Sequence, residues 1–275
     1  MAEKVWKNCG IFFDGWNFTG DSNTLTLNHT QEVVDATPFG SSWRKRKGGL
    51  ITADISVGGF WNAKGEVSTG LGGAQTVPTS GAVDAPIFSR IGGTTGSVSI
   101  LPEGTNFGRR AYLTQAVAGE YNISGTIGDM LGFTLNLYSN YGKVIRGKVL
   151  REGIASTGIN SNSGNTTSCN VCGQNTTTVK FYAAIHALYT TATNKDMSVC
   201  IMGSSESDFG TETTMLHWAC ANWDSSMGGK SKWGSTKMPS TKLRFFRLHF
   251  GSSAGTTDPK WNIVATAGID STAST

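Results

Sequence analysis

Ile51-Thr52-Ala53-Asp54-Ile55-Ser56-Val57 is the stretch whose reading decides the fold. Apolar side chains fall at every second position with polar ones between them, the period of a strand with one face buried. Working outward, Thr24-Leu25-Thr26-Leu27 opens a similar run that ends at Val33-Val34. Further strand-like runs are Ser97 to Leu101, Ala111 to Val117, Ile123 to Ile127, Phe133 to Tyr138, Val179 to Tyr189, Ser198 to Met202, Met215 to Cys220, Lys242 to Phe250 and Ile263 to Ala267. Gly48-Gly49, Gly72-Gly73 and Gly92-Gly93 read as punctuation between them. One short helix is predicted: Asp84 can cap it, Pro86 suits its first turn, Ile87, Phe88 and Ile91 give an apolar face, and Gly92 ends it.

Composition points the same way. Among 275 residues there are 36 Gly, 34 Thr and 28 Ser, more than a third of the chain, while charged residues make up only 15%. That mixture is poor in helix formers and argues against a helical bundle, a coiled coil or an alternating α/β enzyme. Eight Trp, 13 Phe and 6 Tyr are enough for a real core, so wholesale disorder is excluded. The expected class is all-β, a β-sandwich or barrel with one short helix, followed by a second β-rich domain. The expected organisation is a β domain over 1–140, a linker or long loop over 141–178 that is rich in Ser, Asn, Gly and Thr after the basic run Lys143 to Arg151, and a second β-rich domain over 179–275 with a frayed tail. A loose parallel joins the halves. Thr24–Val34, a basic loop and Leu50–Trp61 match Phe133–Tyr138, a basic segment and Val179–Tyr189 in order but not in residue identity.

No segment approaches 18 consecutive apolar residues, and Met1 to Lys7 lacks the apolar stretch of a secretory signal. The five cysteines (9, 169, 172, 200, 220) are odd in number and irregular in spacing, which fits free thiols in a reducing cytoplasm. Whether Cys169 and Cys172 are free, bridged or metal-bound is left open. Together with His217 and Cys220 they could suggest zinc. Residues three apart in a strand face opposite ways, however, so His217 and Cys220 would not converge, and no metal or other cofactor is expected. Gly251-Ser252-Ser253-Ala254-Gly255 matches a nucleophile elbow in letters alone. The turn signal Thr256-Thr257-Asp258-Pro259 stands where a helix is needed, and no His lies beyond 249. His29, His186, His217 and His249 all sit inside strand-like runs. No catalytic residue is expected, and the chain reads as a non-enzyme.

The densest charge feature is Arg44-Lys45-Arg46-Lys47, which fits a solvated hairpin tip or a charged loop seeking acidic groups on a neighbouring subunit better than a nucleic-acid grip. A looser basic stretch, Lys230, Lys232, Lys237 and Lys242, reads as a loop anchored by Trp233.

The run from Gly10 to Trp61 adds a resemblance. Ile11-Phe12-Phe13-Asp14-Gly15-Trp16-Asn17-Phe18-Thr19-Gly20-Asp21-Ser22-Asn23 leads into the Thr24 strand. After it come Val33-Val34-Asp35-Ala36-Thr37-Pro38-Phe39-Gly40, Trp43-Arg44-Lys45-Arg46, Gly48-Gly49-Leu50 and a strand closing on Gly58-Gly59-Phe60-Trp61. This series is similar to the opening of siphophage major tail tube proteins. The short helix and a Gly128-Asp129 hairpin before Phe133 also fall where that family places them, and the resemblance covers roughly residues 5–138. It implies a structural virion protein of a non-contractile phage tail whose subunits form stacked rings, a trimer or hexamer per ring, around a conduit for DNA ejection. The implied partners are copies of itself, tape-measure and tail-terminator or tail-tip proteins, and DNA in passage without sequence-specific binding, with no membrane. The implied places are the virion tail and, during assembly, the host cytoplasm. The roughly 130 further residues would be a second tube-like barrel, so that three chains make a pseudo-sixfold ring, or an outward-facing sandwich on a ring of six. Asp35, Thr37, Phe39, Gly40, Arg44, Lys45, Arg46 and Lys47 are the expected inter-ring contacts. The loops 35–49 and 153–175 are the elements free to reach the next ring, and the lumen is expected to be neutral or acidic. A capsid decoration or other virion protein, or a carbohydrate-binding β-sandwich using Trp233 or Trp261, is the alternative.

Overall fold

The computed structural model describes residues 9–62, 83–93, 95–151, 154–155, 169–171, 179–190, 195–223, 230–239, 243–252 and 261–270. In chain order the elements are β1 (Gly10–Phe13), β2 (Trp16–Asn17), β3 (Ser22–Asp35), β4 (Arg46–Phe60), α1 (Asp84–Phe88), β5 (Gly96–Leu101), β6 (Arg110–Ser124), β7 (Gly132–Ser139), β8 (Ile145–Arg151), β9 (Ile154–Ala155), β10 (Cys169–Asn170), β11 (Lys180–Thr190), β12 (Lys195–Ser204), β13 (Thr213–Trp223), β14 (Lys230–Lys237), β15 (Phe245–Ser252) and β16 (Trp261–Asp270). The all-β class is borne out.

Two sheets account for all the strands. The large one has the order β14-β11-β16-β8-β6-β5-β1-β2, and β6 also pairs with β7, which leads on to β4 and then β3. The small one has the order β10-β15-β12-β13. The large sheet curls until its ends meet. There Ser231 of β14 takes a hydrogen bond from the Ser97 backbone N–H (3.3 Å) and gives one to the Asp14 carboxylate (2.6 Å). Side chains rather than a strand ladder thus nearly close a barrel.

The deciding stretch behaves as its alternation requires: Ala53, Ile55 and Val57 are buried, whereas Thr52 and Asp54 are exposed. Ile55 and Val57 join Ile11, Phe13, Phe18, Val98, Ile100, Phe133, Leu135 and Leu137 in one core, which Ile87 of α1 plugs. A second core lies between the β11/β16 face and the small sheet, where Phe181 stacks on Phe246 at 4.7 Å among Ile185, Val199, Ile201, Leu248 and Ile263. Close approach explains two glycines. A Cβ on Gly59 would run into the Asp21 carbonyl, and one on Gly147 into that of Ala267.

Several local expectations change. The runs at 111–117 and 123–127 are one strand, β6, with a register shift between Ala118 and Glu120 and its end at Ser124. Gly48-Gly49 is not a turn; it lies inside β4, next to a register shift opposite Gln31 and Val33. Lys230–Lys237 is a strand paired along its length with β11 rather than a loop. Ile145–Arg151, inside the segment read as linker, pairs with β6 and β16 and carries the sheet from the first half into the second. The parallel between halves is not reproduced in pairing, because β3 and β4 are hairpin partners whereas β7 and β11 share no ladder. In α1 Pro86 and Ile87 are buried, whereas Phe88 faces out and Ile91 beyond the helix is exposed, so the expected apolar face is reduced to one side of a single turn. The Asp84 carboxylate accepts from the Trp61 indole (3.0 Å) and the Tyr121 hydroxyl (2.7 Å), which ties the helix to the barrel wall.

Candidate assembly interface

All eight expected contact residues lie on or beside one projection. β3 and β4 pair from Ser22↔Gly59 to Asp35↔Arg46, but the next strand, β7, covers β4 only over Asp54–Phe60. Ala53 is still buried and Gly142 lies against the Ile51 carbonyl; beyond Ile51 the two strands continue as an isolated ribbon for about 15 Å, taking roughly 3.3 Å per residue over five residues. The sequence marks the departure. Leu25 and Leu27 still pack on the barrel core, whereas Asn28, His29, Thr30, Gln31 and Glu32 have no apolar partner to give and are exposed.

The tip is a built turn. Asp35 accepts from the Thr37 backbone N–H at 3.0 Å and also from the Thr37 hydroxyl. Thr37 Oγ1 accepts from the Lys45 N–H at 3.0 Å, and the Ala36 N–H donates to the Lys45 carbonyl at 2.8 Å. These Thr37 hydrogen bonds hold the Asp35 carboxyl below the usual carboxylate range. Arg44 Nε stands 3.8 Å from Asp35 in an exposed pair that contributes little in water. Gly40 takes φ +82° with nothing around the place where a Cβ would sit. Arg44 and Lys45 lie in the turn, whereas Arg46 and Lys47 are in β4, opposite Asp35 and Val34.

Charge is only half of what the arm carries. Phe39 is fully exposed, Trp43 is 78% and Leu50 77% exposed, and Val33 and Val34 also face solvent. The two valines are the signal that sequence reasoning passed over. Adjacent residues of a strand point to opposite faces, so a pair of valines on a ribbon without a core must leave at least one uncovered.

The buried polar residues form a different site, also missed in sequence. His186 is fully buried on β11 and is hydrogen-bonded from the β1–β2 turn and from β5. The Gly15 N–H donates to Nδ1 at 3.3 Å, so the ring proton is on Nε2, which donates to Ser99 Oγ at 2.9 Å. Ser99 in turn bonds Thr266 at 2.9 Å, and Thr266 donates to the Ala184 carbonyl. Beside this chain Arg90 pairs with Asp14 at 2.7 Å. Burial pulls the His186 pKa down to about 3, and burial raises that of Asp14 against the lowering effects of Ser231 and Arg90. A Ser beside a His invites a catalytic reading, but here Nε2 carries the proton and cannot take one from Ser99. The cluster holds the sheet ends together.

Among the described residues no group of three or more His, Cys, Asp or Glu could hold a metal ion. Cys172 and Ser253 to Pro259 lie outside the described residues. Burial raises the Cys9 thiol to about 11 and that of Cys200 in the same direction, which keeps both protonated at neutral pH. Trp233 is half-buried against Tyr182 and Tyr141, with centroids 5.9 and 6.2 Å away. Among the described residues no helix is long and apolar enough to cross a membrane.

No protein-family model matches the chain, and no curated protein matches it. Among solved structures it is similar to a chain from the virion of a native gene transfer agent particle, with 19% identity over 52% of this chain and 97% of that one, TM-score 0.37. The SPP1 tail tube matches at 10% identity over 52% of this chain and 77% of that one, also at TM-score 0.37. The SPP1 Dit protein, described as a paradigm of the hub adsorption apparatus in phages that infect Gram-positive bacteria, matches at 11% identity over 96% of this chain and all of that one, TM-score 0.34. The solved structures to which this chain is similar thus include components of virion tails.

Proposed function

We propose that the chain is a structural virion protein, the major tail tube subunit of a non-contractile phage tail, whose rings stack into the conduit for DNA ejection. One observation carries this reading: the β3–β4 arm stands clear of the sheet with both faces exposed, aromatic side chains and four cations at or next to its tip. A two-stranded ribbon is marginal by itself in water, and exposed Phe39, Trp43 and Leu50 add to that cost unless another surface covers them. A neighbouring subunit is the surface that repetition supplies, and heterologous contact with an axial shift makes a tube. In this reading Asp35, Thr37 and Gly40 set the turn, Phe39 is the apolar anchor, and Arg44 to Lys47 meet acidic groups across the junction. The resemblance of Gly10 to Trp61 to tail tube proteins supports the same assignment.

Residues 1–140 and 179–275 would then be two units joined by one sheet and by shared packing such as Leu113 with Tyr182 and Ala184, arranged as a trimer or hexamer per ring. The tape-measure and tail-terminator or tail-tip proteins would be further partners, DNA would pass without specific binding, and the subunit would await assembly in the host cytoplasm. The test is negative-stain electron microscopy of the purified chain across concentration and salt. Hollow tubes or stacked rings are expected, and uniform small trimers would favour capsid decoration. Monomers at every condition, with glycan binding, would point to a carbohydrate-binding sandwich, although Trp233 is half-covered by its own neighbours rather than offered as a platform.

A further inference from the structure

Resting on the reading of the arm as a stacking element, we infer that its acceptor is the opposite pole of the same sheet on a second copy of this chain: the β6–β7 turn together with the end of β4. The two poles are the ends of one strand. β4 runs from Arg46 at the arm to Phe60, where it pairs with Gly132 at the start of β7, so the poles lie about 50 Å apart at roughly 3.3 Å per residue. At the far pole the turn closes through the Asp129 N–H on the Thr126 carbonyl (3.0 Å) with Gly128 at φ +98°, and the Trp61 N–H fastens it to β4 by donating to the Leu131 carbonyl (2.8 Å). This turn presents Ile127 fully exposed and Met130 72% exposed, with Ile123, Leu131 and Phe60 each between 44 and 48%. No other turn among the described residues except the arm tip offers so many exposed large apolar side chains together.

Charge separates the two poles as well. The arm carries Arg44, Lys45, Arg46 and Lys47 against Glu32 and Asp35. The segments that build the far pole (16–24, 57–62, 83–89 and 119–135) contain Asp21, Asp84, Glu120 and Asp129 and no Lys or Arg. An apolar, cationic tip and an apolar, anionic pole at opposite ends of one strand make a heterologous, head-to-tail contact. Such a contact, made between opposite ends of the molecule, builds along an axis wherever its rotation does not close a ring.

The test places a benzophenone photo-cross-linker at Phe39 of the full chain, irradiates it under assembly conditions and examines the same sample by electron microscopy. Mixing isotopically light and heavy chains identifies adducts between copies. The expected adduct joins Phe39 to the 119–132 peptide of a second copy. Ile127→Asp with Met130→Asp should lower its yield about tenfold or more, since moving two apolar anchors out of contact is worth more than one decade of affinity. Ile127→Ser with Met130→Ser, milder at exposed positions, should lower it in the same direction. A melting curve unchanged from the parent shows that either variant is folded. Adducts that map elsewhere, or a yield the substitutions do not change, overturn the acceptor. Tubes without this adduct overturn the acceptor and leave stacking intact, the adduct without tubes supports the acceptor and contradicts the tube, and neither tubes nor adduct overturns both.

Discussion

The inner and outer halves of the β3–β4 hairpin share one ladder but are stabilised in different ways. Near the barrel, Leu25, Leu27, Ile55 and Val57 face a core and β7 covers the free side of β4. Past Asn28 and Thr52 the same hydrogen-bonded pairing continues with water on both faces, while Val33, Val34 and Leu50 remain uncovered. Ladder hydrogen bonds alone contribute little net stability, so in the proposed reading the outer half is held by a second copy placed against it. The difference teaches that secondary structure and burial are separate statements, and that a well-paired segment without a core points to a partner.

Core substitution should break the comparison most strongly. Ile55→Ala is expected to cost about 2–5 kcal/mol in urea unfolding, whereas Leu50→Ala, five residues earlier on the same strand, should stay within about 0.5 kcal/mol. Equal losses would mean that the arm packs on the body of the monomer.

A second contrast is between the arm and the buried seam. His186 is neutral in the folded protein down to about pH 3, whereas an unfolded histidine takes up its proton near 6.5. The folded pKa is the lower one, so the stability due to this group is present above pH 6.5 and is lost as pH falls toward 3, at up to about 1.4 kcal/mol per pH unit. Asp14 opposes the trend, because burial raises its folded pKa and acid therefore favours its folded form. Unfolding midpoints against pH should fall steeply over this window and flatten in His186→Gln. A parallel decline in both proteins would assign the acid sensitivity elsewhere.

The smallest expected effect on the fold is the largest on assembly. Replacing Arg44, Lys45, Arg46 and Lys47 with serine should leave the unfolding midpoint in place and abolish tubes, and raising salt on the parent chain should weaken assembly in the same sense. Normal tubes from that variant would remove the basic cluster from the interface.

Much of this was legible in sequence, for identifiable reasons. Alternation over Ile51–Val57 declares a half-buried strand because a single core lies on one side. The loop expected over 35–49 ends at Lys45, because Arg46 to Gly48 already pair with β3, and its first turn is set by Asp35 and Thr37, which satisfy neighbouring N–H groups. β6 read as two strands because Gly119, at the register shift, interrupts the pattern without ending the strand. β14 read as a loop because Lys-Ser-Lys-Trp-Gly-Ser-Thr-Lys holds its place through the ladder to β11 and through Trp233, not through alternating apolar residues. The seam was illegible in principle. It joins Asp14 to Ser231 and Ser99 to His186, residues 217 and 87 positions apart, and none belongs to a motif. The far pole was hidden likewise, since Phe60 and Gly132 become neighbours only when β7 folds back on β4.

The measurement that tests the account most directly is hydrogen exchange followed by mass spectrometry, comparing free subunit with assembled polymer peptide by peptide. Amides of residues 31–50 are expected to exchange quickly in the free subunit and to become protected by an order of magnitude or more on assembly, while those of 53–60 stay protected throughout. An arm already as protected as 53–60 in the free subunit, or one that exchanges equally fast in the polymer, would contradict the account.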